Sequence, residues 1–144
     1  MSTRATYRFT DERGSRTIYK HHDGYPEGGY QWIANALPYA WPSSRFEADE
    51  MAAAFVAGNK ELGGGGVYLT DDHEAHGDTE HRYNVTYRDG SMWVERSSVG
   101  DDWATWTVEE SGTLADLIAK HCKDLPWAST EARRLLGIAE PVQA

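Results

Sequence analysis

The sequence predicts an α+β fold, a mainly antiparallel sheet packed with short helices, in the approximate order ββααβββαα. Three observations carry this. Asp89-Gly90 sits between two runs of alternating polarity, the strongest short hairpin signal. Capped helical stripes with apolar residues three and four apart occur near residues 26–59 and after 113. The helices cluster between antiparallel pairs and do not alternate strictly with strands, which disfavours a doubly wound sheet. A chain of 144 residues with 40% hydrophobic content argues for a single domain over 1–144 with an ordinary core.

Residues 4–9 and 16–22 read as two strands about a turn at Asp11–Ser15. Ala5, Tyr7 and Phe9 alternate with Arg4, Thr6 and Arg8. The cluster DGYPEGG (23–29) is a turn. Pro26 fits the first turn of a helix, where its missing N–H has no partner to lose. Tyr30, Ile33 and Leu37 follow at helical spacing, and Pro38 ends that helix. Ser44 and Glu47 form a capping box for a second helix bearing Phe46, Met51 and Phe55 through about Asn59. The glycine run 63–66 runs from helix to strand, the reverse of a phosphate-binding loop.

Val67–Thr70 reads as a strand, and 82–97 as a hairpin. A two-residue turn pairs Arg88 with Ser91, Tyr87 with Met92, Thr86 with Trp93 and Val85 with Val94. Tyr83, Val85, Tyr87, Met92 and Val94 then share the core face, joined by Trp106 from a strand over 102–109. Trp93 and Trp103 fall on the opposite face, with Tyr68 beside them. Thr113 with Asp116 caps a helix carrying Leu114, Leu117, Ile118 and His121. Ser129 caps a last short helix with Ala132, Leu135 and Leu136, closed by Gly137.

Charge is uneven. Residues 1–45 carry net +2, 46–81 net −8 and 82–144 net −3, within a total of −9. No basic footprint marks a nucleic-acid interface, so direct nucleic-acid binding is not expected. An acidic block repels phosphate and attracts basic surfaces. It is either a solvated face or a partner-binding surface, with Glu47, Asp49, Glu50, Asp71, Asp72, Glu74, Asp78 and Glu80 as the partner-binding candidates. No apolar run is long enough to span a membrane, no secretory h-region opens the chain, and Cys122 stands alone, which together point to the cytoplasm. A homo-oligomer is compatible with all of this.

The segment 71–81, DDHEAHGDTEH, holds His73, His76 and His81 among carboxylates, the usual ligands of divalent metals. Its H-E-x-H order and Gly77 depart from the helical H-E-x-x-H pattern, so a solvated loop is expected and no metal or other cofactor. A second constellation, Tyr19, His21, His22, Asp23 and Tyr25, offers a histidine–aspartate pair and an aromatic wall to which Tyr30 could add. No nucleophile is placed for it, and no catalytic residue is assigned. Cys122 reads as buried and inert. Trp93 and Trp103 are further binding candidates, since aromatics dominate interface hot spots.

The run TIYKHHDGYPEG, together with ALPYAWP, RFEADEMAAAFVAGNK and GGGGVYLT, resembles small proteins of bacteriophages, prophages and other mobile elements of Proteobacteria, over most of residues 1–90. The resemblance implies a context and no residue roles. Small acidic phage proteins often inhibit host defence, CRISPR–Cas or restriction, by covering surfaces that hold nucleic acid. The expectation is therefore a non-enzymatic interaction protein, of the kind of an anti-CRISPR or other anti-defence inhibitor that covers a basic surface of a host protein. One alternative is a metal-dependent hydrolase or nucleotide-handling enzyme using 71–81. Another is a small-molecule or nucleotide-signal binder.

Overall fold

A computed structural model describes residues 3–61, 66–122 and 130–137. The six strands are β1 (Ala5–Asp11), β2 (Gly14–Lys20), β3 (Val67–Thr70), β4 (His81–Arg88), β5 (Ser91–Val99) and β6 (Trp106–Thr113). The helices are α1 (Pro26–Ala34), α2 (Ala48–Glu61), α3 (Leu114–His121) and α4 (Thr130–Leu136). The chain order is thus ββααββββαα, an α+β fold. The strands form one sheet in the order β3-β2-β1-β4-β5-β6. Every neighbouring pair is antiparallel except β1 and β4, which run parallel.

Local chemistry accounts for the hairpins. Asp89 and Gly90 take φ of 52° and 79°, the left-handed pair a type I′ turn demands. The register follows, with Val85 opposite Val94 and Thr86 opposite Trp93. At the β1–β2 turn, Asp11 Oδ1 accepts from the amides of Arg13 and Gly14. Asp11 Oδ2 also accepts from Ala48 N at 2.8 Å and so caps α2 from 37 positions away. This replaces the expected Ser44–Glu47 capping box. Ser43–Arg45 is a short 3-10 turn, and the Glu47 side chain pairs with Arg13 and Arg45. α1 begins at Pro26 as expected but ends at Ala34, and Leu37 belongs to a separate 3-10 turn, Leu37–Tyr39. The Thr113 cap on α3 is formed, its hydroxyl accepting from Asp116 N at 3.1 Å. Ser129 and glycines 63–65 lie outside the described residues.

The helices all lie on one face. Ala5, Tyr7, Phe9, Tyr83, Val85 and Val94 pack against Tyr30 and Ile33 of α1, Met51 and Phe55 of α2, and Leu114, Leu117 and Ile118 of α3. Tyr7 stacks on Tyr83 with ring centroids 4.8 Å apart. Glycines set how closely α1 and its leading turn approach. A Cβ at Gly29 would lie 2.2 Å from the Tyr83 hydroxyl, and one at Gly24 would lie 2.5 Å from Ala5 Cβ. The DGYPEGG cluster is therefore a packing device.

β6 departs from the expected strand. It begins at Trp106, and a bulge opposite Arg96/Ser97 leaves Glu109 without a cross-strand partner. Trp106 consequently turns to the open face, away from Val85, where the Arg82 guanidinium lies 3.8 Å from its ring. Trp103 is not on the sheet. It sits in the β5–β6 loop with φ of 56° and is 53% exposed. Tyr68 lies at the far edge beside Tyr19, distant in sheet order from Trp93.

Candidate interaction surface

The face of the sheet away from the helices is polar. Thr6 and Arg8 of β1, Thr17 and Tyr19 of β2, Arg82 and Asn84 of β4, and Trp93 and Glu95 of β5 alternate with the core residues. The 71–80 segment folds down over part of this face. His73 is its anchor, 3% exposed. Its Nδ1 lies 2.6 Å from Thr6 Oγ1 and its Nε2 lies 3.0 Å from Asn84 Oδ1. Asn84 Oδ1 can only accept, so Nε2 donates and the neutral ring accepts the Thr6 hydroxyl proton at Nδ1. Burial then holds His73 down to about 4.

Around that anchor the acidic residues meet their own sheet. Glu74 faces Arg82 at 3.7 Å and Arg8 at 3.9 Å, and Asp78 pairs with Arg4 at 3.2 Å. Tyr19 donates to Asp78 Oδ2 at 3.1 Å and stacks on His76, ring centroids 4.0 Å apart. Burial and that carboxylate push the Tyr19 phenol up to about 12. His76 Nε2 lies 2.9 Å from Thr70 Oγ1. The backbone of Glu80 is clamped as well, its amide donating to Arg4 O and its carbonyl accepting from Val99 N.

The candidate carboxylates thus differ in how far this chain itself engages them. Glu47, Glu74 and Asp78 are tied into ion pairs with this chain's own arginines. Glu50 accepts from the Trp41 amide. Asp49, Asp71, Asp72 and Glu80 form no ion pair among the described residues. Charge reversal at Glu47, Glu74 or Asp78 would set like charges against those arginines, whereas reversal at Asp49, Asp71 or Asp72 breaks no ion pair among the described residues.

Asp49 also lines a shallow groove of about 330 Å³ between α2 and β3, with Ile18, Ala52, Ala53, Leu69 and Thr70. Asp71 and Asp72 follow directly on Thr70. Asp49 thus borders the end of β3, which the acidic 71–80 segment follows directly.

The second constellation is only partly assembled. Tyr19, His21 and Asp78 are linked through Arg4, and the His21 and His22 rings meet edge to face at 4.7 Å. Tyr25 turns to Asp23, its hydroxyl 3.4 Å from Oδ1, and Asp23 takes φ of 59° at the turn. Tyr30 is not in this wall, being fully buried on the helix side.

The three histidines offered to a metal go to three places. His73 enters the sheet, His76 stacks on Tyr19, and His81 in β4 accepts from Arg96 at 3.2 Å on the helix side. No group of three or more His, Cys, Asp or Glu among the described residues is arranged to hold a metal ion. Cys122 is buried, and its thiol, pushed up to about 12 by that burial, donates to Glu27 O.

Sequence reasoning missed a buried polar cluster on the helix side. Glu110 accepts from Tyr30 Oη, His121 Nε2, Lys120 Nζ and Arg96 Nε at 2.7–3.2 Å. Burial alone would raise its carboxyl, but the four donors pull it down to about 2. Oε2 accepts three of these donors and Oε1 the Lys120 ammonium, so the cluster reads as structural. It also missed Lys20, buried with its ammonium 3.9 Å from the Trp32 ring and pushed down to about 8 by desolvation. Its place in the alternating pattern of β2 was the available signal.

Comparison with protein-family models, with curated proteins and with solved structures finds no match to this chain. No helix among the described residues is long and apolar enough to cross a membrane.

Proposed function

We propose that this protein is a non-enzymatic interaction protein whose acidic surface binds a basic, nucleic-acid-binding surface of a host complex, in the manner of an anti-CRISPR or other anti-defence inhibitor. The observation that supports the reading is that Asp49, in the groove bordered by Thr70, and Asp71 and Asp72, which follow β3, stand outside the ion pairs of the described residues. Carboxylates outside internal ion pairs repel phosphate and attract arginine- and lysine-rich surfaces. The resemblance to phage and prophage proteins supplies the anti-defence context, and the host cytoplasm is the compartment that goes with it.

The test asks whether the purified protein prevents a candidate CRISPR–Cas or restriction complex from binding its DNA, at two salt concentrations. Wild type should block binding, and block less at higher salt. The variant Asp49→Lys/Asp71→Lys/Asp72→Lys should associate roughly tenfold more slowly, with dissociation less affected. Equal inhibition by the variant, with unchanged melting, removes the acidic surface from the mechanism.

A further inference from the structure

We propose that the outer edge of β3 accepts an extended basic segment of a protein partner as an added strand, with its apolar side chains seated in the groove between α2 and Leu69. The inference rests on the reading of the acidic block as a partner surface, and it specifies how that surface is engaged.

The two sheet edges differ in how they are protected. β6 carries the bulge at Glu109 and exposes that charge, devices that discourage another strand from pairing. β3 has neither. Its sequence Val-Tyr-Leu-Thr holds no charge and no proline, and among the described residues it pairs only with β2. Leu69 is 81% exposed and Tyr68 56%. A short uncharged edge presents unpaired amides and carbonyls that an extended chain can satisfy.

The two sides of this edge specify the guest. On the helix side, Leu69 stands opposite Ile18 and lines the groove with Ala52 and Ala53, with Arg16 and Asp49 at its margin. On the other side lie Tyr68, Tyr19 and the acidic 71–80 segment. Side chains of an added strand alternate between these sides. A segment alternating apolar and basic residues therefore places one set in the groove and the other toward Asp71 and Asp72, which stand outside the ion pairs of the 71–80 segment. A second copy of this chain is disfavoured as the guest, because edge-to-edge pairing would bring together two blocks of net −8 in proteins of net −9.

The probe is a capped octapeptide of alternating lysine and valine, compared with the same peptide N-methylated at alternate residues. The full chain is titrated by fluorescence anisotropy, and amide exchange is followed in 67–70. The expected result is binding by the plain peptide with slowed exchange in β3, at least about tenfold weaker binding by the methylated peptide, and a similar loss in Leu69→Lys, whose melting is unchanged. Equal binding by both peptides overturns strand addition while leaving a charge-driven surface in place. No binding by either also overturns it, and the acidic surface is then judged by its own charge-reversal measurement. Self-association of the protein that Leu69→Lys abolishes assigns the edge to a second copy and overturns the proposal.

Discussion

Glu110 has four donors for one carboxylate, and they are not equal. Arg96 is 11% exposed at its side chain and Glu110 9%, whereas the Lys120 side chain is 64% exposed. Removing the charge of a buried pair leaves the partner's charge uncompensated, which costs about 3–5 kcal/mol. An exposed pair contributes about 0–1 kcal/mol. Glu110→Gln should therefore lower unfolding free energy by roughly 3 kcal/mol in urea titrations, and Lys120→Ala by less than about 1 kcal/mol. Equal losses in the two variants would mean that the Arg96 pair is not the one that matters. The sequence could not reveal this cluster. Glu110 stands in the run Val-Glu-Glu, and the bulge at Glu109 turns Val108 outward and Glu110 inward. Its partners are 10–80 positions away, and no local pattern records such contacts.

At the scale of elements, what was legible is what local chemistry dictates. The Asp89-Gly90 turn fixes the β4–β5 register, Pro26 opens α1, and Thr113 caps α3. What was not legible is what distant residues decide. The parallel pairing of β1 with β4 has no signature in either strand. The cap on α2 comes from Asp11, and the anchor of the 71–80 loop is a histidine meeting Thr6 across 67 positions. The same gap explains the site. Its acidic residues could be named from composition, but which of them this chain neutralises depends on Arg4, Arg8 and Arg82, which read only as the polar side of their strands. The sheet order also predicts where the structure opens first. β1 and β4 are paired on both sides and buried under helices, while β3 and β6 are edges. Native-state hydrogen exchange should find the slowest amides in β1 and β4 and markedly faster ones in β3. Exchange in β3 as slow as in β1 in the protein alone would mean that its outer edge is already satisfied.

Acid should unfold the whole molecule in two stages, and the sign follows from which state binds the proton. His73 and His81 are held down to about 4, first by burial and then, at His81, by Arg96. An unfolded histidine titrates near 6.5, so between about 6.5 and 4 the unfolded chain binds protons that the native chain refuses. The stabilisation is complete above about 6.5 and is lost as pH falls through that window. For the nearly inaccessible His73 it is on the order of 3 kcal/mol. Glu110 behaves in the opposite chemical sense with the same outcome at lower pH, since its carboxyl is held near 2 and its contribution is lost as pH falls from about 4.5. Against this, protonation lowers the net charge from −9 and relieves self-repulsion. That term is spread over exposed groups and screened by salt over about 8–10 Å, so the buried histidines dominate. Thermal melting at physiological ionic strength should therefore fall steadily from pH 7 to 4.5. His73→Gln keeps a side-chain amide near Asn84 but cannot titrate. It should melt lower than wild type at pH 7 and show a visibly shallower decline, so that the two curves converge toward pH 4.5. Parallel curves across that window would show that His73 is not held neutral between Thr6 and Asn84, and the loop would then owe its position to the Glu74 and Asp78 ion pairs.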